Sequence, residues 1–227
     1  MTNEFLDAVR KGELEKTKSA LRKDPSLINA QDEKGISVVL LAAYHGHRDI
    51  AEFLASNKHN MNIFEASTTG KTDRARALIS KEPGLVNSYS NDGFTPLHLA
   101  SFFGRTETVK MLLERKAPIN AVAKNSTKVM PLHSALAGGD MPIIDMLVDH
   151  GADVNASQQA GYTPLHEAAQ SGNLQAAILL LSHGAKINVK SDNGKTPLAL
   201  TMMEGREAGL KEDRDRVSEF LRDHGAV

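Results

Sequence analysis

The sequence predicts an all-α solenoid of about seven stacked helix-turn-helix repeats. Three observations lead to this prediction: a recurring tetrapeptide, a glycine at a constant distance after it, and a second apolar stripe at helical spacing. Successive tetrapeptides start 35, 33 and 33 residues apart, and a fixed period of that size indicates stacked repeats. The four copies are Thr95-Pro96-Leu97-His98, Met130-Pro131-Leu132-His133, Thr163-Pro164-Leu165-His166 and Thr196-Pro197-Leu198-Ala199.

Each tetrapeptide is predicted to begin the first helix of a repeat. A threonine hydroxyl accepts a hydrogen bond from an otherwise unpaired N–H, and proline suits the first helical position because its φ is already helical. A glycine follows nine residues after each start and is expected to end the helix in the left-handed conformation. These glycines are Gly104, Gly139, Gly172 and Gly205.

A second helix is predicted after the glycine, because apolar residues recur at helical spacing. The stripes are Val109, Leu112 and Leu113, then Ile144, Leu147 and Val148, then Ala177, Leu180 and Leu181. Two of these helices are predicted to end at His-Gly-Ala, and an asparagine follows at Asn120, Asn155 and Asn188. We expect these asparagines to fix the turn through side-chain bonds to the backbone.

This order of tetrapeptide, glycine, stripe and asparagine resembles the ankyrin repeat, in a style similar to bacterial members. The resemblance implies short projecting β-turns or hairpins between helix pairs, and terminal repeats that act as caps. The earlier glycines Gly12, Gly46 and Gly70 extend the pattern towards the N-terminus. The predicted repeats start near residues 3, 37, 61, 95, 130, 163 and 196, and form a single domain over residues 1–227.

Two repeats depart from the period. The step from 37 to 61 is only 24 residues, so the sequence predicts a missing projecting turn and a gap in the row of turns. In the last repeat an insertion at about 207–213 delays the apolar stripe, and we interpret it as a solvated cap that extends the last helix.

Composition excludes several classes of function. The 27 Lys and Arg residues balance 28 Asp and Glu without any block of like charge, so we expect no nucleic-acid partner. Without cysteine there is no disulfide, thiolate nucleophile or Cys-ligated metal. The sequence contains no apolar run of 18 residues, so no membrane span is predicted. We expect a cytoplasmic monomer without a cofactor.

Histidines are the main candidates for chemistry, and six of the nine belong to the repeats. His98, His133 and His166 lie in the tetrapeptide, whereas His150, His183 and His224 precede a glycine. The other three, His45, His47 and His59, are accompanied by no carboxylate pair or nucleophile at a telling spacing. His45 and His47 are expected to point in different directions unless the backbone turns sharply between them, and HExxH spacing is absent, so no metal site is predicted. An enzyme that uses these non-repeat histidines is a remote alternative.

The resemblance implies where a partner would bind, because ankyrin repeats line a concave face with their first helices and projecting turns. The candidate partner-binding residues at such positions are Tyr44, Phe94, Phe102, Phe103, Val129, Tyr162 and Gln170. Only 4% of the residues are aromatic, so a concentration of them there predicts an interface. In the alternative interpretation, Phe102 and Phe103 pack against a neighbouring helix and stabilise the stack. The remaining phenylalanines, Phe5, Phe53, Phe64 and Phe220, are expected in the core.

The resemblance therefore implies a non-catalytic module, adaptor or scaffold, that binds a protein partner whose identity the sequence does not reveal. The alternative is a dedicated inhibitor or immunity-type protein that blocks a partner enzyme. An inhibitor predicts one tight partner, whereas an adaptor predicts several weaker ones.

Overall fold

The fold is helical throughout the part of the chain that the computed structural model describes, residues 2–202 and 211–227. Fourteen α-helices and three 3₁₀ turns lie in these ranges, and the one β feature found there is an isolated bridge between Gln31 and Ser37. The prediction of an all-α helical repeat fold is therefore confirmed. The chain divides into two compact units, Met1–Ala117 (the N-terminal unit) and Pro118–Val227 (the C-terminal unit).

The N-terminal unit contains four successive helix pairs, in which the first helices α1, α3, α5 and α7 pack side by side. Two 3₁₀ turns, Pro25–Asn29 and Pro83–Asn87, follow α2 and α6. One buried cluster of this unit contains Phe5, Ile50 and Leu54. The helices are α1 Thr2–Arg10, α2 Leu14–Lys23, α3 Val38–Tyr44, α4 Arg48–Asn57, α5 Ile63–Thr69, α6 Thr72–Lys81, α7 Pro96–Phe102 and α8 Thr106–Glu114.

The C-terminal unit contains three helix pairs, in which α9, α11 and α13 pack in sequence. A third 3₁₀ turn lies at Gln159–Gly161. The helices are α9 Pro131–Gly138, α10 Met141–Asp149, α11 Pro164–Ser171, α12 Leu174–Ser182, α13 Pro197–Thr201 and α14 Lys211–Asp223. The repeat starts and the single domain over residues 1–227 stay predictions.

The tetrapeptides begin helices as predicted, since α7, α9, α11 and α13 each start at their proline. In α11, the backbone N–H of Thr163 donates to Nδ1 of His166 (3.1 Å), and the Thr163 hydroxyl lies 2.8 Å from the same nitrogen. Because Nδ1 accepts, the ring proton is on Nε2, which donates to the carbonyl of Lys195 in the next repeat (3.0 Å). The histidine therefore both caps its own helix and links two repeats.

The predicted glycine ends are also present in the described residues. Gly139 and Gly172 end α9 and α11 with φ of 74° and 70°, a region where a side chain is strained. Gly104 follows α7, whose cap residue is Phe103. Gly205 lies outside the described residues.

The asparagines bond to the backbone as predicted, but to that of the following repeat rather than to their own turn. Asn155 donates to the carbonyl of Gly184 (3.0 Å) and accepts from the N–H of Lys186 (2.8 Å). Asn120 makes the same pair of bonds to Gly151 and Asp153, and Asn188 to Gly225 and Val227. Each asparagine thus clamps the end of the next second helix.

Short projecting turns connect the repeats and are each closed by backbone hydrogen bonds. The N–H groups of Ser90 and Ser191 donate to the carbonyls four residues on, at 2.9 Å in both cases. The shortened repeat contributes no such turn, since α4 ends at Asn57 and α5 begins at Ile63. The turns on either side of it border a cavity of about 140 Å³, and Asn91 reaches across to donate to the carbonyl of Gly35 (3.0 Å). Without an intervening turn, the two neighbouring turns contact each other directly.

A buried ion pair ties down the shortened repeat. Lys58 Nζ lies 2.8 Å from Glu65 Oε1, and the two side chains are 8% and 0% exposed. The other oxygen of Glu65 accepts from the N–H of Asn62, whose side chain caps α5 in return. Both charges are therefore compensated where they are buried.

Two sequence predictions need qualification at the periphery. Residues 207–210 of the predicted insertion lie outside the described residues, and α14 begins at Lys211. Of the four phenylalanines expected in the core, Phe5 is 1% exposed, but Phe53, Phe64 and Phe220 are only half-buried. The Phe220 ring packs against His224 one turn on, 4.2 Å between centroids.

Candidate partner-binding surface

Four of the candidate residues come together in the N-terminal unit, and we call Tyr44, Phe94, Phe102 and Phe103 the aromatic cluster. The ring of Tyr44 at the end of α3 stacks on Phe103 just after α7, 5.9 Å between centroids. Phe102 meets Phe103 edge-on at 5.0 Å. Contacts of this kind are worth about 0.5–1.5 kcal/mol beyond their buried area.

Two members of the aromatic cluster pack on buried side chains, and the other two are exposed to solvent. Phe94 and Phe103 pack, with Phe64, on the buried side chains of Ile36, Leu40 and Leu99. Phe102 and Tyr44 remain 44% and 38% exposed. The stacking alternative considered for the sequence thus describes Phe103, whereas Phe102 faces solvent.

Tyr44 is held in place by a hydrogen bond across the shortened repeat. Its hydroxyl donates to Oδ2 of Asp92 (2.5 Å), and the hydroxyl of Ser90 donates to the other carboxylate oxygen. Burial of the phenol, the hydrogen bond and the Asp92 charge all raise the pKa of Tyr44. The hydroxyl therefore stays protonated at neutral pH and keeps donating to Asp92.

Three small hydroxyl side chains on α5 and α7 are fully buried. Ser67, Thr68 and Ser101 are 0% exposed, and their side-chain oxygens have no hydrogen-bond partner in the described structure. Their small size suits positions where neighbouring helices pack closely, as α5 and α7 do.

The other three candidates belong to the C-terminal unit and lie at separate positions there. The ring of Tyr162 packs edge-on against His166, 5.3 Å between centroids. Val129, half-buried before α9, accepts a hydrogen bond from the N–H of Ala123 (2.8 Å). The Gln170 side chain is exposed, and the backbone carbonyl of this residue accepts a hydrogen bond from Arg214 Nε (2.7 Å).

Glu167 is a residue of unusual electrostatics that the sequence reasoning missed. Its Oε2 atom is buried and has no hydrogen-bond partner among the described residues. Burial raises the pKa of this carboxyl to about 7. The neighbouring His166 has its pKa lowered, mainly by burial and partly offset by its bond to the Lys195 carbonyl. The available signal was a carboxylate in the helix position that holds Leu99 and Leu200 in other repeats.

The backbone turns sharply between His45 and His47, which is the exception that the sequence left open. The rings of His45 and His47 lie nearly parallel, 6.4 Å between centroids, because the chain turns sharply through Gly46 at φ 76°. Nε2 of His47 is bound to the carbonyl of Arg10 at 2.9 Å. Over residues 2–202 and 211–227, no group of three His, Asp or Glu side chains is placed to hold a metal ion.

No helix within residues 2–202 and 211–227 is both long enough and apolar enough to cross a bilayer.

Stacked helix pairs with projecting turns and an exposed aromatic cluster define a helical repeat protein of the interaction type. The family model for ankyrin repeats (three copies) matches residues 5–125 and 119–191. The chain belongs to the ankyrin repeat family. Proteins of this family generally mediate protein–protein interaction and are typically non-catalytic.

Curated relatives from a fungus and from mammals are similar to this chain. Ankyrin repeat protein nuc-2 of Neurospora crassa is 30% identical over 174 residues, which are 71% of this chain and 16% of that protein. Rabankyrin-5 of Mus musculus is 30% identical over 152 residues, 63% of this chain and 13% of that protein. SMC5-SMC6 complex localization factor protein 1 of Homo sapiens is 32% identical over 110 residues, 44% and 10% respectively. The chain spans less than a fifth of the length of these relatives.

Proposed function

We propose that this chain is an adaptor or scaffold that binds a protein partner through the aromatic cluster of its N-terminal unit. The main supporting observation is the exposure of Phe102 and Tyr44, 44% and 38%, in a chain with only 4% aromatic residues. Large aromatic side chains dominate the binding energy of protein interfaces. Exposed together, they form an apolar patch of the kind that marks an interaction site.

The cluster is suited to binding because it is already ordered. Phe102 rests on Phe103, and the hydroxyl of Tyr44 is fixed by Asp92, so neither ring has to be immobilised by the partner. Avoiding that cost leaves more of the contact energy for affinity. In this assignment Phe102 is the anchor that enters the partner, and Tyr44 contributes a flat face beside it.

We include Val129, Tyr162 and Gln170 as further contacts on the C-terminal unit. They lie just before α9, just before α11 and near the end of α11, at positions equivalent to those of the aromatic cluster. A monomeric state and a cytoplasmic location complete the proposed function. Light scattering of the purified chain tests the first of these, and imaging of the tagged chain in its source cells tests the second.

The test is affinity capture with Phe102→Ala beside a matched control. Ile178→Ala is that control, because Ile178 is also apolar and 44% exposed but lies on the C-terminal unit. We expect Phe102→Ala to weaken binding of a stoichiometric partner by about 1–3 kcal/mol, roughly fivefold to 150-fold. Ile178→Ala should leave the capture unchanged.

Circular dichroism must show both variants as helical as the parent chain. Capture that is equal for Phe102→Ala and the parent would exclude the aromatic cluster as the binding site. One tight partner that loses enzymatic activity on binding would instead favour the inhibitor class over the adaptor class.

A further inference from the structure

A second candidate site lies in the N-terminal unit, in a pocket bordered by α2, the 3₁₀ turn Pro25–Asn29 and α4. The pocket has a volume of about 320 Å³, at the lower end of the range of roughly 300–1,000 Å³ seen for ligand sites. Its apolar wall is formed by Leu21, Ile28 and Phe53, all half-buried and packed on the core cluster. A space of this size accepts one large apolar side chain.

Positive charge borders the pocket. The ammonium of Lys18 lies 5.8 Å from the centroid of the Phe53 ring, and Arg22 lines the same opening. Helix α2 carries four basic residues, and two of them are paired: Lys16 with Glu13 at 2.8 Å and Lys18 with Glu15 at 2.7 Å. Glu15 also attracts Arg22 at longer range, but no ion pair or hydrogen bond joins the Arg22 guanidinium to any residue in the described ranges.

The same arrangement of elements occurs a second time in the N-terminal unit, where it is closed. Each of the three elements begins again 58 residues later: α2 begins at 14 and α6 at 72, the 3₁₀ turns begin at 25 and 83, and α4 begins at 48 and α8 at 106. The counterparts of the pocket wall, Ile79, Val86 and Met111, are 3%, 6% and 1% exposed.

The residues at the rim of the pocket also differ between the two copies. Ser80 takes the place of Arg22, and Arg115 takes the place of Asn57 and reaches over to the Ser80 hydroxyl (3.5 Å). The stack therefore does not require an open pocket at this position, since the fold closes the equivalent one. An open apolar pocket with an unbonded guanidinium at its rim is specific to the first copy.

We propose that this pocket binds an acidic peptide segment of a partner protein, with one large apolar side chain inserted between Leu21, Ile28 and Phe53. A carboxylate beside that side chain would pair with Arg22, whose planar fork of N–H donors matches a carboxylate in a bidentate geometry. The apolar wall selects the inserted side chain, and the charge of α2 selects an acidic partner over a basic one. This site is separate from the aromatic cluster and does not depend on it.

The experiment uses the full chain and a fluorescein-labelled acidic hexapeptide of glutamates and aspartates with one central phenylalanine. Fluorescence polarisation should show saturable binding that weakens about tenfold or more when the phenylalanine is replaced by alanine. Arg22→Glu should weaken binding by at least about tenfold, since it replaces an attraction with a repulsion. Lys23→Glu is the matched control, because it makes the same charge change on α2 at a residue outside the pocket, and it should change binding less than about threefold.

A second variant tests the pocket without removing any core side chain. Asn57 is exposed at the rim, at the end of α4, and Asn57→Phe places a ring in the opening. It should abolish peptide binding while circular dichroism and the thermal midpoint stay close to those of the parent. Absence of saturable binding to the parent chain, equal binding by Asn57→Phe, or equal binding of a lysine-rich version of the peptide would overturn the assignment.

Discussion

At the scale of single residues, Glu167 provides the clearest electrostatic test. Its pKa is raised from the ordinary 4.5 to about 7 because the carboxylate is buried. Between these two values the unfolded chain has lost the proton while the folded chain keeps it. The folded state is therefore destabilised as the pH rises through this window, and the full cost is present above about pH 7.

Replacing Glu167 with glutamine should remove that cost. We expect Glu167→Gln to raise the free energy of unfolding by about 2 kcal/mol at pH 8 and to have little effect at pH 4. Urea denaturation at both pH values measures the difference. Glu107→Gln, on the exposed side of α8, is the control and should be close to neutral at both. An equal effect of Glu167→Gln at the two pH values would show that the carboxyl is not buried in its charged form.

The candidate surface could be predicted from the sequence only in part, for reasons visible at individual residues. Phe102 and Tyr44 are identified by their distance from the helix-ending glycines, which is a local pattern. That Phe103 stacks on Tyr44 and packs on Ile36 and Leu40 depends on side chains of an earlier repeat. The residue pattern within one repeat does not reveal contacts between side chains of different repeats.

At the scale of elements, the asparagine clamps link consecutive repeats of the C-terminal unit. Asn155 bonds both the carbonyl of Gly184 and the N–H of Lys186. Since a single net hydrogen bond contributes about 0.5–1.5 kcal/mol, we expect Asn155→Ala to cost about 1–2 kcal/mol of unfolding free energy. Chemical denaturation measures this loss.

A suitable control for the clamp is Asn60→Ala, which changes an exposed asparagine in the N-terminal unit. It should leave the free energy of unfolding within about 0.5 kcal/mol of that of the parent chain. Asn155→Asp keeps the acceptor for Lys186 but loses the donor to Gly184, so it should fall between the parent and the alanine variant. A neutral Asn155→Ala would mean that solvent replaces both bonds at no cost.

The helix boundaries were the most predictable feature of the fold. Proline favours the first position of a helix and glycine favours its end, each because of its own backbone conformation. The contacts across the shortened repeat were not predictable in this way. Asn91 reaches Gly35, a contact between residues 56 positions apart, and Tyr44 reaches Asp92 over 48 positions. Because one projecting turn is missing, the turns on either side contact each other. The repeat pattern in the sequence reveals the missing turn but not this contact.

At the scale of the whole molecule, each compact unit has the number of repeats that a stacked array needs. A repeat cannot bury its apolar face alone, and about three or more are required for stability. The N-terminal unit has four helix pairs and the C-terminal unit has three. The open pocket and the aromatic cluster both belong to the first of these, so both binding proposals can be tested on one part of the chain if that part folds.

We therefore expect residues 1–117 to fold by themselves. This fragment retains the buried cluster around Phe5, Ile50 and Leu54, the Lys58–Glu65 ion pair and the whole aromatic cluster. Circular dichroism should show a helical spectrum with a cooperative thermal transition. A shorter fragment, residues 1–93, is the matched comparison: it lacks α7 and α8, uncovers Ile36 and Leu40, and should melt well below the longer one because each repeat is stabilised by its neighbours. A non-cooperative melt of residues 1–117 would show instead that the N-terminal unit depends on the rest of the chain for its stability.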